Sequence, residues 1–209
     1  MKLYDCTQAP NPRRVRIFLA EKGIDIDKVQ IDILSGENLQ ADFLAVNSRG
    51  VLPVLELDDG TRIDETVAIC QYFEVLQPSP SLMGDDAKTK ALISSRQRQV
   101  EFDGLLPLAD IVRNSVPAFS TRALPGREGV DAIEALVARG INSFNQFLDR
   151  LDKTLGESQY LAGDAFSIAD ITALCVIDFA QWAQIEIPKH HENTLRWYSL
   201  VSQRESVKA

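Results

Sequence analysis

The stretch from Asn47 to Thr66 holds the residues best suited to grip an extended ligand. Gly50 supplies a turn, and Val51-Leu52 leads into Pro53, which donates nothing to a β-ladder and has a fixed φ. The N–H and C=O of Leu52 are thereby left to face a ligand. Further on, Asp64-Glu65-Thr66 opens an apolar helical run, and free amides at a helix start suit an anion such as a carboxylate. The three cysteines, Cys6, Cys70 and Cys175, are far apart and form neither a CxxC pair nor a metal-ligand spacing. The chain therefore reads as reduced and metal-free. His190 and His191, in a polar connection between helices, read as solvated.

The elements that must position these residues follow from hydrophobic period. Lys2 to Asp5 predicts a short buried strand, and Arg13 to Lys22 a helix with Val15, Phe18 and Leu19 on one face and Gly23 as its stop. Val29 to Leu34 alternates as a second strand. Glu37 to Val46 carries Leu39, Phe43 and Val46 at helical spacing. Val54, Leu55 and Leu57 form a strand, Asp59-Gly60 a hairpin turn, and Thr61 to Ile63 the return strand. Val67 to Leu76 continues as a helix. The order β-α-β-α-β-β-α predicts a parallel unit followed by a hairpin, an α/β domain of thioredoxin type over residues 1–77. Gln77-Pro-Ser-Pro-Ser opens a linker, 78–85. Residues 86–209 show only helical periodicity, with a long amphipathic stripe from Glu128 to Leu155 and a kink expected at Pro107.

Composition bounds the partners. With 22 Lys and Arg against 30 Asp and Glu, the net charge is −8, which argues against nucleic acid and anionic membranes. No apolar run approaches the ~20 residues of a transmembrane helix, and charge follows the first apolar residues too soon for a signal peptide. A cytoplasmic location is expected.

Leu52-Pro53 followed by Glu65-Thr66 resembles the glutathione-binding half of cytosolic glutathione transferases. In the second half, Leu161-Ala-Gly-Asp-Ala-Phe-Ser-Ile-Ala-Asp170 resembles the N-capping segment of that family's helical domain. There Ser167 and Asp170 form a capping box, with Phe166 and Ile171 as a hydrophobic staple, and the role is structural. The resemblance spans residues 2 to about 207. It implies a thioredoxin-like domain joined to an all-α domain, a cytoplasmic homodimer, a detoxifying transferase activity, and glutathione as co-substrate without a metal. It also implies a cis Leu52–Pro53 bond, pairing of Leu52 with the cysteinyl unit of glutathione, and Glu65 and Thr66 at the γ-glutamyl end. Such enzymes lower the thiol pKa of bound glutathione and pass it to an electrophile.

The group that stabilises the thiolate usually lies at the start of the first helix. The serine or cysteine of the zeta- and omega-like classes falls here at Ala9, which can do neither job. Ala9-Pro10-Asn11 is similar to the Thr-Pro-Asn of Nu-class bacterial enzymes, so the resemblance puts Asn11 against the sulfur, with Thr7 as a substitute hydroxyl; as plain sequence, Asn11 is equally an N-cap before Pro12. Asn38 matches the residue that holds the glycyl carboxylate. Asp103 matches an acidic residue sent toward the partner's glutathione. Phe102, Leu106, Val112, Phe119 and Trp182 are acceptor-site candidates, fitting a hydrophobic electrophile, or a disulfide on the Nu-like reading. Arg13, Arg14 and Arg16 stand beside the site, at least two of them read as solvent-facing. Two rival readings are a thiol transferase or lyase using Cys6, and a glutathione- or ligand-binding module without catalysis.

Overall fold

The computed structural model describes residues 1–209. Four strands, β1 (Lys2–Asp5), β2 (Asp27–Gln30), β3 (Val54–Glu56) and β4 (Arg62–Asp64), form one sheet in the order β2-β1-β3-β4. β1 and β2 run parallel, as a β-α-β crossover requires, while β1–β3 and β3–β4 are antiparallel. β2 begins and ends earlier than its alternation suggests. All four of its residues are exposed because it is the sheet edge, and only the following Ile31 turns inward.

Helix α1 (Pro10–Glu21) starts three residues before its apolar face, because Pro10 and Pro12 sit in the first turn, where the lost N–H groups would have had no partner. It stops at Gly23, φ 66°, where Gly23 N–H bonds Ala20 C=O and Ile24 N–H bonds Leu19 C=O. The helix expected over 37–46 is broken. A 3₁₀ turn, Glu37–Leu39, and the short α2 (Ala41–Leu44) are separated by an extended Gln40. Helix α3 (Thr66–Leu76) closes the first half.

Five helices follow: α4 (Ala87–Gln99), α5 (Leu106–Ser115), α6 (Glu134–Glu157), α7 (Ile168–Phe179) and α8 (Glu192–Val201). Between α4 and α5 the chain widens into a π-turn, Val100–Leu105, and Pro107 follows in the first turn of α5. This is the bend the proline demands. α6 begins later than its stripe suggests, since Gly129 at φ 69° and the Val130–Thr121 backbone bond hold 128–132 in a loop. α7 is apolar on every side and buried from Ile168 to Ile177, so it is the central helix of the main core. Each large aliphatic side chain buried there contributes about 1.5–3 kcal/mol.

At the start of α7 the Ser167–Asp170 capping box forms. Asp170 accepts from Ser167 N–H (3.1 Å), Ser167 Oγ (3.0 Å), Leu161 N–H (3.0 Å) and the indole of Trp197 (2.9 Å). This carboxylate ties three segments of the helical half together. Burial raises its pKa, against the pull of those four bonds.

α1 joins the halves. Its arginines do not face solvent as their sequence position suggests. Arg14 and Arg16 are buried and Arg13 is half-buried; they pair with Glu101 (2.6 Å), Asp5 (2.5 Å) and Asp178 (2.5 Å) respectively. Charged side chains on a buried face need such partners, and α1 finds them on β1, the π-turn and α7.

Candidate active site

A cleft of ≈ 210 Å³ opens between the sheet half and α5. One wall is the loop after β1 with the first turn of α1, Cys6 and Gln8 to Pro12, together with Gly50, Val51 and Leu52. The other wall is the face of α5 bearing Leu106, Ala109, Val112 and Arg113, backed by Phe119, Phe179 and Trp182. Positions 106, 109 and 113 recur at helical spacing, so one face of α5 fronts the cleft.

The sheet-side wall offers unused backbone groups. The Leu52–Pro53 peptide is cis, and both residues are buried. No backbone group of the chain pairs with the N–H or C=O of Leu52. Buried backbone groups are almost always paired, so a free pair lining a cleft marks a place for an extended ligand. α3 begins without a side-chain cap, and Glu65, which precedes it, has φ 69°. That conformation is strained for a residue with a Cβ, and such strain concentrates at ligand sites. Glu65 and Thr66 lie just outside the cleft lining. The Glu65 carboxylate accepts from Arg49 at 2.6 Å, and the Thr66 hydroxyl donates to Asn11 C=O at 3.3 Å, tying the start of α3 to the start of α1.

Asn11 lines the cleft, but it is not the N-cap. That position is Ala9, which makes no side-chain cap, and Asn11 stands one turn-residue inside the helix. Its Oδ1 accepts from Arg14 Nη1 at 2.9 Å, and its Nδ2 has no protein acceptor. The carboxamide therefore keeps an unused N–H donor. Cys6 also lines the cleft, buried among Tyr4, Phe43, Leu52 and Val54. Thr7 turns away, its hydroxyl bonded to Gln30 at 2.8 Å.

Asn38 is 5% exposed and lines the cleft. Its Nδ2 donates to Gly50 C=O at 2.7 Å, and its Oδ1 has no partner. A carbonyl oxygen accepts only, so the side chain has one orientation, and the atom left for a ligand is an acceptor. That suits an N–H donor on the ligand.

Of the acceptor-site candidates, Leu106, Val112, Phe119 and Trp182 meet in the cleft. Phe102 does not. It is half-exposed on the π-turn with the Arg98 guanidinium 4.1 Å from its ring centroid. Asp103 also lies elsewhere, paired with Arg150 at 3.2 Å. Sequence reasoning passed over Arg113, the one charge on the cleft face of α5, and Gly126. Gly126, φ 69°, lets the 120s loop meet the sheet half: a Cβ there would fall 1.9 Å from Arg49 O. The signals were present, as a charge interrupting an apolar stripe and a Pro-Gly turn.

One group could hold a metal. Asp149, His190 and His191 bring ligand atoms within 4.8 Å of one another, away from the cleft. His191 is buried rather than solvated, with Nε2 3.0 Å from Asp149, because it sits where α8 packs on α6. Cys70 and Cys175 are fully enclosed, and burial pushes each thiol up to about 12, which leaves them unreactive. No helix is long and apolar enough to cross a membrane.

Known proteins share this arrangement. A family model described as "Glutathione S-transferase, N-terminal domain" matches residues 9–76, and one described as "Glutathione S-transferase, C-terminal domain" matches residues 115–205. Glutathione S-transferase 2 of Saccharomyces cerevisiae is 34% identical over 212 residues, spanning 100% of this chain and 88% of that protein. The crystal structure of Gtt2 from Saccharomyces cerevisiae superposes with a TM-score of 0.92 at 34% identity, covering 100% of this chain and 99% of the other. A glutathione S-transferase domain-containing protein from Marinobacter aquaeolei gives 0.89 at 34% identity, with 99% and 100% covered. With both halves matched and a full-length relative at this identity, the chain belongs to the glutathione S-transferase family of transferase enzymes.

Proposed function

We propose that the cleft binds glutathione, lowers the pKa of its thiol and directs the thiolate at an apolar electrophile held against α5. The observation that carries this is the free backbone pair of Leu52, buried at the cleft wall and next to Pro53. It would meet the cysteinyl unit as a strand meets its neighbour, leaving the thiol near Asn11. The uncapped amides at Glu65 and Thr66 would take the γ-glutamyl carboxylate, with Glu65 itself accepting from the α-amino group. Asn11 Nδ2 would donate to the sulfur, and charge-assisted donation of this kind favours the ionised form.

The acceptor wall is Leu106, Val112, Phe119 and Trp182, which favours a hydrophobic substrate. Val75, Leu76, Leu92 and Phe102 are exposed, and such apolar side chains would be available to a homodimer contact.

The test is turnover of an activated aryl halide with glutathione, beside Trp182 fluorescence quenching by glutathione alone. Saturable quenching with conjugation is expected. Quenching without conjugation would leave a binding module, and neither signal would refute the reading. Cys6→Ala is expected to retain activity, since Cys6 packs as a small apolar side chain; its loss would favour the cysteine-based rival.

A further inference from the structure

Arg113 is the only charged side chain lining the cleft. It is half-buried, and no carboxylate lies within salt-bridge reach of it. Its one hydrogen bond, from Nη1, goes to Arg122 C=O at 2.9 Å, and its guanidinium stacks 4.6 Å from the Phe119 ring centroid. Burial, with Arg122 beside it, lowers its pKa to about 10, so it is still a cation at neutral pH. Nε and Nη2 keep unused donors. Arg122 cannot supply an anion site in its place, because its guanidinium is spent on the carbonyls of Ile33, Leu34 and Ala118. A cation on a cleft wall with no carboxylate beside it is free to pair with an anionic ligand.

Asn38 lies at the same end. It and Arg113 line both the cleft and an adjoining recess, together with Phe119 and Gly126. Asn38 contributes a buried acceptor with no partner, and Arg113 a cation whose one hydrogen bond goes to a neutral carbonyl. Together they complement a ligand end in which a peptide N–H is followed by a carboxylate. The sheet-side wall from Cys6 to Leu52 contributes no Lys or Arg to the cleft. A tripeptide with its middle on Leu52 and one end at α3 leaves its other terminus to this corner.

We propose that Arg113, from the helical half, binds the glycyl carboxylate of glutathione while Asn38 Oδ1 accepts the glycyl N–H. This rests on the glutathione reading above. It makes an α5 residue part of the co-substrate site and leaves the acceptor half without a charge of its own.

The test compares binding of glutathione and of its glycyl monoethyl ester, by titration calorimetry, to the wild type, Arg113→Gln and Arg113→Lys. The wild type should prefer the free acid by about tenfold or more, the effect of one charged hydrogen-bonded contact. Arg113→Gln should bind both ligands about equally and weakly, and Arg113→Lys should recover part of the preference. Equal binding of acid and ester by the wild type overturns the proposal, as does an undiminished preference in Arg113→Gln. So does an Arg113→Gln defect confined to the KM of a carboxylated acceptor, since Arg113 would then read the second substrate. The wild-type comparison requires no variant to fold. If neither ligand binds the wild type, it is the glutathione reading itself that fails.

Discussion

Arg14 donates from Nη1 to the Oδ1 of Asn11, three residues earlier on α1, at 2.9 Å. Arg14 is itself fixed, with Nη2 on Glu101 (2.6 Å) and Nε on Thr172 (3.0 Å). A buried guanidinium anchored from the helical half thus sets which end of the Asn11 carboxamide is left for the cleft. Arg14→Lys keeps a cation for Glu101 but loses the fork geometry that serves three acceptors. The expected result is a ten- to hundredfold fall in kcat, roughly the cost of a misplaced catalytic group, with KM for glutathione little changed. Steady-state kinetics on the folded variant checks it.

α5 approaches α6 closely at Gly140, where a Cβ would lie 2.7 Å from Ile111 Cγ1 and 2.8 Å from Pro107 O. Gly140→Ala forces the cleft-facing helix outward. Overpacking of this kind costs about 1–3 kcal/mol. Thermal denaturation should show the loss, and KM for the acceptor should rise more than KM for glutathione.

Glu21, at the end of α1, accepts from Arg204 Nε (2.7 Å), Arg204 Nη2 (2.6 Å) and the Ser206 hydroxyl. Burial acts to raise its pKa, but Arg204 and Ser206 outweigh it and hold the carboxyl below its ordinary 4.5. A carboxyl depressed by folding adds stability that is present above its unfolded pKa and lost as the pH falls through the folded one. Glu21→Gln should therefore cost about 1–3 kcal/mol at pH 7 and flatten the decline in stability between pH 5 and 3. Urea melts across that range, wild type against variant, measure both.

Asp170 accepts four hydrogen bonds within the core, and an amide cannot accept at its nitrogen. Asp170→Asn should lose at least about 1–3 kcal/mol, the penalty for a buried group left unpaired. Because Asp170 lies outside the cleft, glutathione affinity of the folded variant should be unchanged. Chemical denaturation and calorimetry separate the two effects.

Much of the frame was legible in the sequence because it depends on local pattern. Strand alternation, the Asp59-Gly60 hairpin, the stop at Gly23 and the Ser167–Asp170 box are each written within a few residues. The positions 11, 38 and 52, which line the cleft, were legible through resemblance to a family. What stayed hidden depends on long-range pairing. The partners of Arg13, Arg14 and Arg16 come from β1, the π-turn and α7, so nothing near α1 shows that these arginines are buried. His191 is enclosed by α6, far earlier in the chain. The orientation of Asn38 follows from Gly50 C=O, and with it goes the choice between donor and acceptor. Arg113 was hidden because a single charge at the end of an apolar stripe normally faces water.

The central claim is that glutathione becomes a thiolate in this cleft through Asn11. The direct measurement is thiolate absorbance near the ultraviolet edge, with bound glutathione titrated against pH in the wild type and in Asn11→Ala. The account predicts ionisation well below the ~8.5 of a free thiol in the wild type and a return toward that value in the variant. Wild-type glutathione that binds without ionising, or ionisation that survives the loss of Asn11, would contradict it.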